Sequence, residues 1–426
     1  LKSKQLILIQ AFCLLLCTNP AIGQNRISSP YSRFGIGDVF PGNNVYNMSM
    51  GGISYGLTSP FFVNSANPAA LVSFDTLSFV FDLGAYTRQS KLTTRDLSET
   101  ANFTSLGYLT FGFPVTRWWR SSFGLLPYSG TGYHMKDISV DEDLGRVTRD
   151  FQGNGGINQV FFANGFALNR NFSIGVNAAW MFGTIERISA NTFPDSAYRM
   201  NYKEITSTRI HDFSLNYGLF YKGTTKKGMN VGAGLVFSND TRINVTENRL
   251  GYRYFISSLG VDNVIDTLLN EPSVKGNFIL PANLGAGFSL SKTDKWLVGA
   301  DYQLQLWEKF SYFDQPDSLK NSMRVSVGGQ YTPSVSTVSG YFQRVTYRAG
   351  FRYSTSFLEL RGQQLDEFGI SFGLGLPLPR TRSTVNLAAE IGTRGTTTEN
   401  LIKENFIRFT LGLSIFERWF IIRKYD

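Results

Sequence analysis

The sequence predicts an all-β fold: an antiparallel transmembrane barrel of about fourteen strands, with an N-terminal hatch inside it. Three observations carry this. Segment after segment alternates apolar with polar or small residues, the period of a strand with oil on one side and water on the other. The gaps between these segments are long and short in turn. Charged residues make up only 17% of the 426 residues, while Gly (42), Phe (36) and Tyr (20) are abundant, a balance below the charge of soluble domains.

The chain opens with Lys2 and Lys4, an apolar run from Leu6 to Leu16, and Ala21-Ile22-Gly23 as a small-x-small cleavage site. Residues 1–23 therefore read as a secretory signal peptide and are set apart from the fold. Cys13 and Cys17 both fall within it. The mature chain thus has no thiol for a disulfide or a metal site. The formal net charge of +9 loses Lys2 and Lys4 with the signal, and export argues against nucleic acid as a partner.

Residues 24–75 do not alternate. They are rich in Gly, Ser, Asn and Pro but hold too many aromatic and apolar residues for a disordered tail. A segment folded inside the barrel, a hatch or plug, accounts for them, because a barrel of this size needs its interior filled. The barrel itself is expected over 76–417. Its strands are expected at 77–88, 104–113, 121–131, 157–168, 171–182, 206–222, 229–240, 278–291, 295–309, 322–332, 345–356, 367–377, 384–393 and 406–416. The last shows the pattern well: Ile407, Phe409, Leu411, Leu413 and Ile415 form one row, and Arg408, Thr410, Gly412 and Ser414 the other. The row Leu280, Ala282, Leu284, Ala286, Phe288 and Leu290 is read in the same way.

The gaps 132–156, 183–205 and 241–277 are long, whereas 114–120, 169–170, 223–228 and 292–294 are short. Outer-membrane barrels pair long outside loops with short periplasmic turns. The gap 333–344 breaks the alternation. The even strand count puts both termini in the periplasm of a Gram-negative cell, with 418–426 as a periplasmic tail. Several short turns are basic, among them Arg117-Trp118-Trp119-Arg120, and fit an interfacial anchor.

Asn64-Ser65-Ala66-Asn67-Pro68-Ala69-Ala70-Leu71, preceded by Met50-Gly51-Gly52, resembles the hatch motif of the long-chain fatty-acid transporter family (FadL-like) and of the related type IX secretion barrels (PorV-like). Leu280 to Gly287 and Arg324 to Pro333 resemble later strands of the same superfamily. Tyr31 to Asp38 and Arg418-Trp419-Phe420 look like barrels of the Bacteroidota. The resemblance implies a hatch contact at Asn67, Pro68 and Ala69. It also implies a lateral window in the third strand, marked by Pro127, Gly130 and Gly132, where a missing N–H and small side chains weaken the wall.

No catalytic machinery is expected. Gly52-Ile53-Ser54-Tyr55-Gly56 matches a nucleophile pattern, but the strand–turn–helix setting is missing, and the two histidines, His134 and His211, stand in no such context. Asp141-Glu142-Asp143 lacks the spacing of a calcium loop. No cofactor or metal is anticipated. Inward charges at Asp82, Asp301, Arg324, Arg348, Arg352, Glu390 and Arg408 can pair with each other or hold the hatch, with internal salt bridging the default reading.

Two functions follow. One is a passive channel for hydrophobic small molecules of fatty-acid or aromatic-hydrocarbon type, with a pocket built by Phe and Leu of 132–156, 183–205 and 241–277. The other is a non-transporting subunit of an outer-membrane secretion or assembly complex. The partners are then outer-membrane lipid, a hydrophobic ligand, or proteins of such a machine.

Overall fold

The computed structural model describes residues 29–418, apart from 196–198, 258–259, 337 and 380. The expected signal peptide and the tail from residue 419 onward lie outside the described residues. Nineteen extended segments join in one sheet, and fourteen wall strands close it into an antiparallel barrel. They are β1 Ser78–Thr93, β2 Ser98–Pro114, β3 Trp119–Asp141, β4 Gly145–Ala167, β5 Phe172–Thr192, β6 Asn201–Thr224, β7 Asn230–Ser238 continued by Thr241–Ile256, β8 Asp262–Leu280 continued by Asn283–Lys292, β9 Trp296–Gln305, β10 Ser322–Tyr331, β11 Thr346–Leu360, β12 Gln363–Pro377, β13 Thr384–Arg394 and β14 Lys403–Arg418. β14 closes on β1 from Lys403↔Thr93 to Arg418↔Ser78.

Each expected strand is present, and alternation sorts the two faces. On β14, Ile407, Phe409 and Leu411 are 38%, 57% and 40% exposed, whereas Thr410 and Ser414 are 5% and 3% exposed. The same outward row runs through Phe368, Ile370, Phe372 and Leu374 on β12 and Val298 and Tyr302 on β9. An exposed apolar band around a closed sheet is the surface a lipid bilayer covers. Among the described residues no helix is long and apolar enough to cross a membrane; the crossing is by strands.

Two expectations change. The gaps 132–156, 183–205 and 241–277 are not loops. β3 and β4 stay paired out to Asp141↔Gly145, β5 and β6 out to Asn191↔Tyr202, and β7 and β8 out to Ile256↔Asp262. The strands simply continue past the membrane as tall ribbons. Both faces are then wet, so the hydrophobic period fades although the ladder does not. Ion pairs such as Arg149–Asp137 and Arg249–Glu271, both 3.2 Å, replace apolar contacts across the strands.

The row from Leu280 to Leu290 also changes face. Leu280 and Ala282 are buried inward, while Leu284 and Phe288 are exposed outward. The strand is broken at Pro281, which has no N–H for the ladder. The Ala282 N–H donates instead to Asp240 Oδ1 at 2.8 Å, in the matching break of β7.

The segment from Ser29 to Asp75 packs inside the wall. It carries one turn of α-helix at Val45–Met48, capped by Asn44 Oδ1 accepting from the Asn47 N–H at 3.0 Å, and a 3-10 helix at Pro68–Ser73. At the ribbon end Ser29 lies beside Gly132 and Glu404. At the short-turn end Phe74 O accepts from Arg120 Nε at 2.9 Å. Arg120, expected as an interfacial anchor, is thus turned inward, while Trp118 beside it stays exposed.

The wall accommodates this segment with glycine. A Cβ on Gly328 of β10 would sit 2.2 Å from Met50 O, and one on Gly350 of β11 2.2 Å from the Gly51 N. Gly51 itself, at φ +71°, abuts the Phe351 backbone. The prediction is direct. Gly328→Leu overpacks the contact at a cost on the order of 1–3 kcal/mol, lowers the melting temperature and opens the N-terminal segment to protease. Val327→Leu, on the adjacent outward position, leaves both unchanged.

Candidate functional site

The lumen and one gap in the wall form the candidate site. Asn67, Pro68 and Ala69 meet the wall at a glycine trough. Gly165, Gly175 and Gly218 pair in register across β4, β5 and β6. Cβ atoms there would lie 2.7 Å from Pro68 O, 2.4 Å from the Ala69 N and 2.3 Å from Asn67 Oδ1. Asn67 Oδ1 accepts from the Ala69 N–H at 3.0 Å, Asn67 Nδ2 donates to Tyr55 O at 3.0 Å, and Ser173 Oγ donates to Ala69 O at 2.9 Å. The turn is thus held by its own side chain, by the interior segment and by the wall. The motif was visible in sequence; its seat was hidden, although glycines at inward positions of three consecutive strands are the signal that finds it.

Two wall carboxylates clamp the segment. Asp301 accepts from the backbone N–H groups of Ser54 and Tyr55 at 2.5 and 2.8 Å. This consumes the Gly52-to-Gly56 pattern in a structural contact. Asp82 accepts from Ser414 Oγ, Tyr108 OH and Asn44 Nδ2 at 3.0, 3.2 and 3.4 Å. Such charge-assisted bonds are roughly twice as strong as neutral ones. Arg348 donates to Asn386 Oδ1 at 2.8 Å and lies 4.4 Å over the Tyr46 ring. Burial raises the Tyr46 phenol above its ordinary pKa, opposed by Arg348.

Above these clamps the charges form a network. Arg352 binds Glu390 at 2.6 Å and also Glu367, and Arg408 binds Glu390 at 3.3 Å. Arg394 binds Asp38 of the interior segment at 2.8 Å, and Arg88 binds Glu404 at 3.4 Å. Asp38, Arg88, Glu367, Arg394 and Glu404 were not singled out in sequence. Asp38 lies on the interior segment; Arg88 pairs in register with Arg408, and Arg394 with both Glu367 and Glu404, so these charges extend the inward group already expected.

A cavity of about 280 Å³ lies between the interior segment and the ribbon end. Its lining mixes charges and amides, among them Arg88, Arg324, Arg352, Glu367, Glu390, Asn216, Asn283 and Gln303, with apolar side chains such as Phe40, Met48, Phe103, Leu126, Leu215, Leu280, Met323 and Phe357. The pocket expected from Phe and Leu of 132–156, 183–205 and 241–277 is not what the structure holds. Ile185, Ile243 and Val245 from those stretches pack instead into an apolar cluster with Trp307, Phe310, Phe357 and Leu401. Trp307 stacks on Phe357 at 4.4 Å. The cluster roofs the lumen because loop side chains from β9–β10 and β13–β14 fold in over it.

Pro127, Gly130 and Gly132 lie on β3 just beyond the point where it parts from β2. The β2–β3 ladder runs from Pro114↔Arg120 to Leu109↔Leu125 and stops. A register shift follows between Pro127 and Ser129 in the pairing with β4. Gly130 and Ser129 then pair with Asp38 and Val39 of the interior segment. Phe40 stands behind the gap, packed on Tyr86 and Phe103. The ladder is open here; the interior segment pairs with the β3 side of the opening, and Phe40 backs the β2 side.

Asp38→Ala leaves Arg394 buried without its carboxylate. Breaking a buried pair costs on the order of 3–5 kcal/mol, and the variant is expected to show a lower unfolding temperature and faster proteolysis between residues 29 and 45. The exposed pair Arg242–Asp314 gives the control: Asp314→Ala changes neither.

The fold has known counterparts. The toluene transporter TbuX of Ralstonia pickettii is similar at 14% identity and TM-score 0.58, covering 88% of this chain and 98% of that one. The toluene transporter TodX of Pseudomonas putida is similar at 16% identity and TM-score 0.57, covering 90% and 99%. A Pseudomonas aeruginosa FadL homologue is similar at 12% identity and TM-score 0.54, covering 88% and 98%. These likenesses establish an outer-membrane channel fold of the FadL type. No curated protein matches the sequence. The family model of BamG matches residues 3–426, and the chain belongs to the BamG family.

Proposed function

We propose that this outer-membrane barrel is a non-transporting subunit of an outer-membrane assembly machine. The observation that carries this reading is the way the lumen is filled. The interior segment is tied to the wall by Asp82, Asp301, Arg394 and the glycine trough, and the small cavity left above it carries charges and amides among its apolar side chains. An apolar solute bound there would cover those charges and amides without hydrogen bonds, which is costly. The family name, shared with components of the barrel-assembly machinery, supports the same reading. No covalent chemistry and no cofactor enters it. The tall ribbons β3 to β8 face outward from the cell, the short turns and Arg418 face the periplasm, and both ends offer surface to protein partners.

A second reading keeps one specific observation. The solved relatives TbuX and TodX are toluene transporters, and the β2–β3 gap stands where the resemblance implies a lateral window at Pro127, Gly130 and Gly132. In that reading a hydrophobic molecule leaves the lumen sideways past Phe40, with Asn67-Pro68-Ala69 as a hatch contact. The resemblance to PorV-like barrels and to Bacteroidota sequences fits the first reading better than the second.

Native mass spectrometry of the protein released in mild detergent separates the two. A stoichiometric protein partner and an empty lumen are expected. A lone barrel retaining a lipid-like or aromatic ligand would overturn the assembly reading in favour of transport.

A further inference from the structure

The gap between β2 and β3 leaves two sheet edges facing each other. Beyond Leu109↔Leu125 both strands run on. β2 reaches back to Ser98 held by β1 alone, through the unshifted ladder Ala85↔Leu106 to Thr93↔Ser98. β3 reaches Asp141 held by β4. On the β3 side the chain supplies its own strand. Asp38 and Val39 pair with Gly130 and Ser129, the Phe40 N–H donates to Tyr128 O at 2.9 Å, and the Ser29 N–H donates to Gly132 O at 2.9 Å. The gap therefore accepts extended backbone. On the β2 side no such strand stands among the described residues.

An unpaired edge is a template for another strand, and proteins blunt such edges with lysine, proline or bulges. From Ser98 to Leu106, β2 has neither lysine nor proline, and its ladder with β1 carries no bulge. The other long free edges are treated differently: three register shifts bend the outer reach of β8 between Val264 and Val274, and the outer reach of β3 from Tyr133 to Asp141 carries Lys136. Those edges are blunted and the β2 edge is left straight.

We propose that the β2 edge docks an extended segment of a protein partner by strand addition, a proposal that rests on the assembly reading above. Main-chain hydrogen bonds supply the affinity in this mode, and alternate side chains supply the specificity. The occupant is defined by the two faces of β2. Phe103, backed by Phe40, asks for apolar side chains toward the lumen. Thr100, Asn102 and Thr104 are exposed on the other face and ask for polar ones, and Leu106, exposed at the end of that row, asks for an apolar one.

Hydrogen exchange of the full chain tests this, alone in mild detergent and in the complex isolated with its partner. Alternate amides from Ser98 to Gly107 are expected to exchange at least ten-fold more slowly in the complex. Amides of Phe409 to Leu413, paired on both sides, stay unchanged. A complex that forms with the β2 amides still fast overturns strand addition and leaves the assembly reading standing. Slow exchange in the lone chain overturns it too, because the protein's own backbone then occupies the edge. If no partner is isolated at all, both readings fall.

Discussion

Everything inside this barrel depends on how closely the interior segment approaches the wall. Backbone meets backbone at Gly165, Gly175, Gly234, Gly328 and Gly350, where a single methyl group would overlap main-chain atoms. This contact has no tolerance for a larger side chain, so the inward row of the wall is dictated by the segment it encloses. Close packing of this kind behaves as a jigsaw rather than a fluid contact. A segment held this way is part of the wall's structure.

The charges act in the same direction. Removing Asp82 or Asp301 from water is costly unless hydrogen bonds replace the water, and the interior segment supplies them through Asn44, Ser54 and Tyr55. The segment and the wall thus satisfy each other, and moving one strands the other's buried polar groups. The network of Arg352, Glu390, Glu367 and Arg408 sits directly above, under the roof built by Trp307 and Phe357. Among the described residues the β2–β3 gap leaves a straight edge without a ladder, and the proposed partner surface lies there.

The wall was legible in sequence because lipid on one side and interior on the other impose period two on every strand, as at Ile407 to Ser414. The ribbons were not, because above the membrane both faces of Asp137 or Arg249 meet water and the period vanishes while the ladder persists. Pro281 hid a change of face that only the backbone reveals. Asn67-Pro68-Ala69 could be recognised as a motif, but its trough is assembled from glycines on three strands whose register is a property of the closed sheet. The pairing of Asp38 with Arg394 joins residues far apart in sequence, and no local pattern announces it. The apolar pocket was expected from composition of the long gaps; their apolar residues were spent instead on the roof.

The central claim is that the interior segment stays in place while the protein works. A disulfide tests it, since no cysteine stands among the described residues. A Cβ on Gly412 would lie 3.1 Å from Val45 Cβ, a few tenths short of the ~3.5–4.5 Å range of disulfides. Val45→Cys with Gly412→Cys joins segment to wall on oxidation. In cells relying on this variant, outer-membrane protein assembly is expected to proceed equally with the bond closed or reduced. Loss of function on oxidation, restored by reductant, would contradict the account.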